Sequence, residues 1–125
     1  IEAGAKCEAM VELVDLMPTL VEVGGADGPT DLDGRSVVPL LRGEHPRDWR
    51  EEVFAEYLGS QNGDIPLRIL RSEQHKLVCG AAGPLEFFNL GKDPEELENR
   101  VGDPAHEDVI RDLSGLMDSK CSYPR

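Results

Sequence analysis

The 125-residue sequence has no run of about 18 consecutive apolar residues, the length an α-helix needs to cross a bilayer. No membrane-spanning helix is therefore expected. Basic residues are scarce: 13 Lys and Arg stand against 25 Asp and Glu, a net charge of −12. Phosphate backbones and anionic lipid surfaces both require a basic face, so this balance argues against nucleic acid and against a membrane surface as partners. Cysteine is limited to Cys7, Cys79 and Cys121, far apart and without a CxxC pair, and His45, His75 and His106 are just as scattered. Zinc needs clustered ligands, so no zinc site is expected. Reduced thiols in a cytoplasm-like compartment are the natural reading, and nothing else marks a location. No charged stretch followed by a short apolar one marks a signal peptide. The chain opens on Ile1 rather than methionine and reads as a piece of a longer polypeptide.

Catalytic signatures are missing as well. There is no G-x-S-x-G, no G-x-x-x-x-G-K-[ST] and no G-x-G-x-x-G. Thr19 and Ser36 are the hydroxyls in structured places, and both read as helix-start residues rather than nucleophiles. Asp27, Asp31 and Asp33 lie close together, but their order lacks the calcium-loop pattern and its closing glutamate. Glu95, Glu96 and Glu98 read as a solvated run. The expectation is no catalytic residue and no metal ligand in this chain.

What is present is enough for one real core at this length. Three stretches follow one another. From Ile1 to Gly43, the apolar Met10, Val11, Leu13 and Val14 read as a short buried strand spanning 7–14. Asp15 then stands where a helix N-cap belongs. Pro18 falls in the first turn, where its missing N–H costs nothing. Leu16, Leu20 and Val23 share a face, and Gly24-Gly25 supply a stop. Ser36 reads as the cap of a short helical segment, Val37 to Arg42.

The second stretch predicts strands at 53–57, 67–71, 75–79 and 85–90, separated by turn residues, which is the pattern of an antiparallel meander. In the third, Asp103-Pro104 opens a helix whose Val109, Ile110, Leu113, Leu116 and Met117 recur at helical spacing. The predicted fold is α+β: a four-stranded antiparallel sheet with a C-terminal amphipathic helix packed on it, preceded by a strand-helix segment. Within it, Arg68, Arg71 and Lys76 are cations able to reach an anionic ligand, since guanidinium forks grip sulfate, phosphate and carboxylate. The competing reading pairs them with local acids such as Glu56, Glu73 and Glu86.

The order of these pieces resembles the sulfatase family. VELVDLMPTLVEVGG is similar to the family's "DLxPTLLxLAG" strand-helix, and LDGRSVVPLLRGE to the "DGxSLxPLLxGE" segment that follows. WREEVFAEY resembles the strand that opens the small C-terminal subdomain. LRILRSEQHKLVCG resembles its "RxxRTxxYKLI" hairpin, and LEFFNLGKDPEELENRVGDPAH the "ELYDLxxDPxExxNLAxxP" segment ahead of the last helix. The resemblance covers about residues 7–118. It implies the C-terminal portion of an alkaline-phosphatase-like sulfuric ester hydrolase. In it, 1–43 would close the main α/β domain and 44–125 would form the C-terminal subdomain.

The resemblance further implies that the parent uses calcium and a formylglycine made from C/S-x-P-x-R, all upstream of this chain. Cys121 to Arg125 has its proline one place late for that motif. Here the chain would complete the fold and wall the substrate pocket, itself inactive. Arg68, Arg71, His75 and Lys76 would touch a sulfated small molecule or glycan. His75 stands where the family has an aromatic residue, and Phe88-Asn89 replaces Tyr-Asp. A phosphodiesterase or phosphonate monoester hydrolase of the same superfamily shares this layout. A non-catalytic interaction module is the alternative of another class.

Overall fold

A computed structural model describes residues 3–59 and 65–120. Two compact units divide the chain, Ile1–Val53 and Phe54–Arg125.

The first unit begins without the expected strand. Residues 5–12 carry no strand assignment, and a 3-10 turn occupies Leu13–Asp15. Val11, Leu13 and Val14 are exposed. Their apolar pattern therefore does not mark a core strand of this unit. Helix α1, Leu16–Val23, follows as predicted. It ends in a Schellman arrangement: Ala26 N–H donates to the Val21 carbonyl at 3.2 Å and Gly25 N–H to the Glu22 carbonyl at 3.1 Å. Gly25 takes φ +61°, which glycine adopts without strain. Helix α2, Val38–Leu41, starts one residue later than expected: Val37 stands at its N-cap, and Ser36, one place before, accepts the Val38 N–H at its Oγ at 3.2 Å.

A four-stranded antiparallel sheet carries β1, Glu52–Tyr57; β2, Leu67–Ser72; β3, His75–Gly80; and β4, Gly83–Asn89, in the order β1-β2-β3-β4. Leu70 faces Leu77 across the β2–β3 ladder, and Leu77 faces Phe87 across β3–β4. Successive side chains alternate sides, so these three share one face. Helix α3, Glu107–Lys120, lays its apolar stripe there. Ile110 and Met117 close a core with Leu70, Leu77, Cys79 and Phe87, while Phe54, Val109, Leu113 and Leu116 pack at its margin. The α+β architecture is the one read from the sequence. A 3-10 turn at Pro104–His106 leads into α3, with Asp103 Oδ1 accepting the Ala105 N–H at 3.0 Å.

Asn62-Gly63, among the turn residues expected between the first two strands, and Cys121 to Arg125 lie outside the described residues.

Candidate functional site

Strand alternation separates the four residues marked for substrate contact. Arg68 pairs with Cys79 in the ladder, and His75 lies two residues before Leu77. Both stand on the helix-covered face. Arg71 pairs with Lys76, and Lys76 with Phe88, on the opposite face. Arg68 Nη1 reaches Asp118 of α3 at 2.7 Å. The His75 ring stacks on Phe87, centroids 5.5 Å apart, and His106 tilts against the same ring at 5.1 Å. Burial, and then the neighbouring His106, lower the His75 pKa, so the ring favours its neutral form.

On the other face Arg71 and Lys76 share one acid. Arg71 Nη1 lies 3.0 Å from Glu96, and Lys76 Nζ pairs with the other oxygen of the same carboxylate. The acid is Glu96, not the neighbouring Glu73 or Glu86. Hydrogen bonding from Lys76 first, supported by Arg71, holds the Glu96 carboxyl below the usual range. Glu96 takes φ +56°, a conformation seldom adopted by a side-chain-bearing residue, and its two ion pairs hold it there. The solvated-run reading of Glu95, Glu96 and Glu98 thus misses a cross-link between the loop and the sheet.

The same loop closes the edge of β4. Asn99 Oδ1 accepts the Phe87 N–H at 3.0 Å, and Asn99 Nδ2 donates to the Leu85 carbonyl at 3.1 Å. The side-chain amide thereby substitutes for a ladder partner on a strand edge. Arg100 N–H adds a bond to the Phe87 carbonyl at 2.8 Å. Below the loop lies an open cleft of about 560 Å3, lined by Asn89, Lys92, Arg100 and His106 among others. Arg100 is engaged there by Glu98 and Asp103. Lys92 has no ion-pair partner among the described residues. No spacing in the sequence marked this cleft, because its lining comes from a strand end, a loop and a 3-10 turn.

In the first unit the chemistry centres on Asp15, 1% exposed. Arg50 forks onto its carboxylate, Nη2 to Oδ1 at 2.7 Å and Nη1 to Oδ2. The backbone N–H of Glu12 donates to Oδ2 and that of Arg35 to Oδ1, each at 2.8 Å. Burial pushes this carboxyl up, and the Arg50 fork with the two N–H groups more than offsets it, leaving the pKa below the usual range. Asp15 is therefore not the forward cap expected of it. Its side chain reaches back to the turn that precedes α1 and across to 35 and 50. Beside it, Thr19 Oγ1 donates to the Asp15 carbonyl at 2.6 Å and accepts the Val37 N–H at 3.0 Å. A Cβ on Gly34 would sit 2.1 Å from the Val14 carbonyl oxygen, so only glycine lets Arg35 approach Asp15. Among the described residues, no three His, Cys, Asp or Glu side chains come together as metal ligands.

Residues 1–122 match the family described as N-sulphoglucosamine sulphohydrolase, C-terminal. The chain belongs to this family. Among similar proteins, the "Multifunctional alkaline phosphatase superfamily protein PehA" of Trinickia caryophylli is 38% identical, over 90% of this chain and 24% of that protein. Arylsulfatase K of Danio rerio is 32% identical, over 99% of this chain and 24% of its own length. Of solved structures, the phosphonate monoester hydrolase SpPMH from Silicibacter pomeroyi superposes with a TM-score of 0.82 at 32% identity, covering 95% of this chain and 26% of that one. The chain thus spans about a quarter of the length of these two curated relatives.

In this sulfatase C-terminal domain the family-like segments have identifiable physical tasks. Arg71 and Lys76, from the hairpin segment, are the two cations that grip Glu96, from the "DPxExxN" segment. Asn99, the last residue of that pattern, covers the edge of β4. Asp15 and Gly34, from the first two segments, meet through the Arg35 N–H.

Proposed function

We propose that this chain is the C-terminal portion of a longer hydrolase of the alkaline-phosphatase superfamily that cleaves sulfate esters of a small molecule or glycan. The observation that carries this reading is the family match across residues 1–122. Residues 1–43 would close the main α/β domain and 44–125 would form the subdomain that walls its substrate pocket. The upstream catalytic domain is the partner, and it would hold the calcium and the formylglycine. The residues described here supply no ligand set for that metal, so no chemical step is assigned to them. Of the four residues expected to touch substrate, Arg71 and Lys76 share one face of the sheet and are the proposed contacts, with Glu96 as the acid that a substrate anion would have to displace; Arg68 and His75 stand on the helix-covered face, where a substrate would reach them only separately.

A second reading, phosphonate monoester hydrolysis, is favoured by the superposition on the Silicibacter pomeroyi enzyme. The test uses the full-length polypeptide encoded by the gene, assayed with an aryl sulfate and with an aryl phosphonate monoester. Preferential sulfate turnover, with C/S-x-P-x-R upstream, supports the first reading. Preferential phosphonate turnover moves the assignment to the second. The 125-residue chain alone is expected to give no turnover with either ester. Activity that survives repurification would place a nucleophile within it.

A further inference from the structure

The open cleft of about 560 Å3 beside the end of β4 has walls that are held independently of the side chains lining it. The N–H groups of Lys92 and Asp93 donate to the Asn89 carbonyl at 3.0 and 2.8 Å, and the His106 N–H donates to the Asp103 carbonyl at 2.9 Å. Asp93 Oδ2 accepts the Glu98 N–H at 2.8 Å. The His106 ring is held against the fully buried Phe87. The space is therefore formed before anything enters it.

The lining side chains divide into two sets. Asp93 and Asp103 are engaged by backbone N–H groups, and Arg100 lies between Glu98 and Asp103. The Lys92 ammonium, the Asn89 side-chain amide and the His106 ring nitrogens have no hydrogen-bond or ion-pair partner among the described residues. An ammonium only donates, whereas an amide and a neutral imidazole each donate and accept. Leu97, 80% exposed, adds an apolar surface to the same lining. A few converging polar groups beside an apolar one, in a space of about 300–1,000 Å3, are the features of a small-molecule site.

We infer that this cleft binds a sugar unit carrying one acidic group, with the acid on Lys92, ring hydroxyls on Asn89 and His106, and the C–H face of the ring on Leu97. The balance of donors and acceptors selects this class. A hydroxyl both donates and accepts, so it matches the amide and the imidazole. A free oxoanion only accepts; it would leave those acceptors unmatched and meet Asp93, Glu98 and Asp103. A neutral sugar would leave Lys92 unused. A nucleic acid is opposed by the net charge of −12. The cleft uses neither Arg71 nor Lys76, which Glu96 holds, so the inference does not rest on the ester-hydrolase reading.

The test titrates the isotope-labelled 125-residue chain and follows its amide resonances. The probes are sodium glucuronate, a glucose sulfate monoester, methyl glucoside and sodium sulfate, at one ionic strength. Saturable shifts at the Asn89 side-chain amide and the Lys92 and His106 backbone amides are expected with at least one acidic sugar. Its Kd should lie at least about tenfold below that of methyl glucoside, the difference that one charge-assisted bond supplies. Which acidic sugar binds identifies the acid as a carboxylate or a sulfate ester. Lys92→Gln, at an exposed position, should remove the tenfold preference and leave the weaker binding of methyl glucoside. Four results would overturn the inference: no saturable shift with either acidic sugar, sulfate binding as tightly as they do, a preference that survives Lys92→Gln, or shifts confined to Arg71 and Lys76. The last would place the sugar at the proposed substrate contacts instead. Ester turnover by the full-length polypeptide depends on none of these results, so the two readings fail separately.

Discussion

The two units solve the problem of staying folded in opposite ways. In Phe54–Arg125 the interior is apolar, with Leu70, Leu77, Phe87 and Met117 fully buried, and the charges sit on the outside as Arg68–Asp118, Arg71–Glu96 and Lys76–Glu96 pairs. In Ile1–Val53 a carboxylate is among the most buried groups, and the large apolar side chains of α1 face outward. The difference matters for mutation, because the most costly loss is of an apolar ring in one unit and of a carboxylate in the other.

The comparison can be broken most sharply at the two centres. Phe87→Ala removes a fully buried ring between His75 and His106 and should cost about 3–5 kcal/mol in urea melts followed by far-UV circular dichroism. A loss below about 1 kcal/mol would mean that α3 and the sheet do not share a packed core. Asp15→Ala should cost a similar ~3–5 kcal/mol, because it removes the carboxylate that the Arg50 fork and two backbone N–H groups bond, leaving Arg50 only Glu12, 3.2 Å away. Its natural probe is Trp49, the single tryptophan, whose Nε1–H donates to the Met10 carbonyl at 2.8 Å inside the same unit. The fluorescence transition should move to lower urea while the sheet signal moves little. Coincident shifts of both probes would show that the units unfold as one. Asp15→Asn, which keeps the shape and loses the charge, should fall between Asp15→Ala and the parent.

A smaller effect is expected at Gly34. Gly34→Ala forces a methyl group against the Val14 carbonyl and should cost about 1–3 kcal/mol, seen again at Trp49. The smallest belongs to the exposed clasp: Glu96→Gln should change stability at neutral pH by less than about 1 kcal/mol. Its value lies in the pH dependence. The folded Glu96 and Asp15 carboxyls titrate below their unfolded range, so the stability they contribute is complete above about pH 4–5 and is lost as pH falls through the folded values. His75 is also lowered, so its contribution is complete above its unfolded value of about 6.5 and fades as pH falls below it. Glu96→Gln should flatten only the lower part of an acid titration of the sheet signal. An unchanged acid limb would show that Arg71 and Lys76 do not hold Glu96 in solution.

Much of this molecule is written in local pattern. The alternation of β2, β3 and β4, the helical spacing of Ile110, Leu113 and Met117, and the Gly24-Gly25 stop all act within a few residues, so period and turn chemistry suffice to read them. The family-like segments likewise stand in the order of the sequence. What only the tertiary structure decided is where the polar groups go and what the apolar ones are for. Asp15 looks like a cap because its neighbours make it one; Arg50, 35 positions away, makes it a buried ion pair instead. Glu96 looks solvated until the loop returns it to Arg71 and Lys76, and nothing local announces that return. Met10 to Val14 read as a core strand because a local pattern shows that a residue is apolar and not what covers it. Charge pairing and burial are set by contacts between distant parts of the chain, and those contacts exist only once the chain has folded.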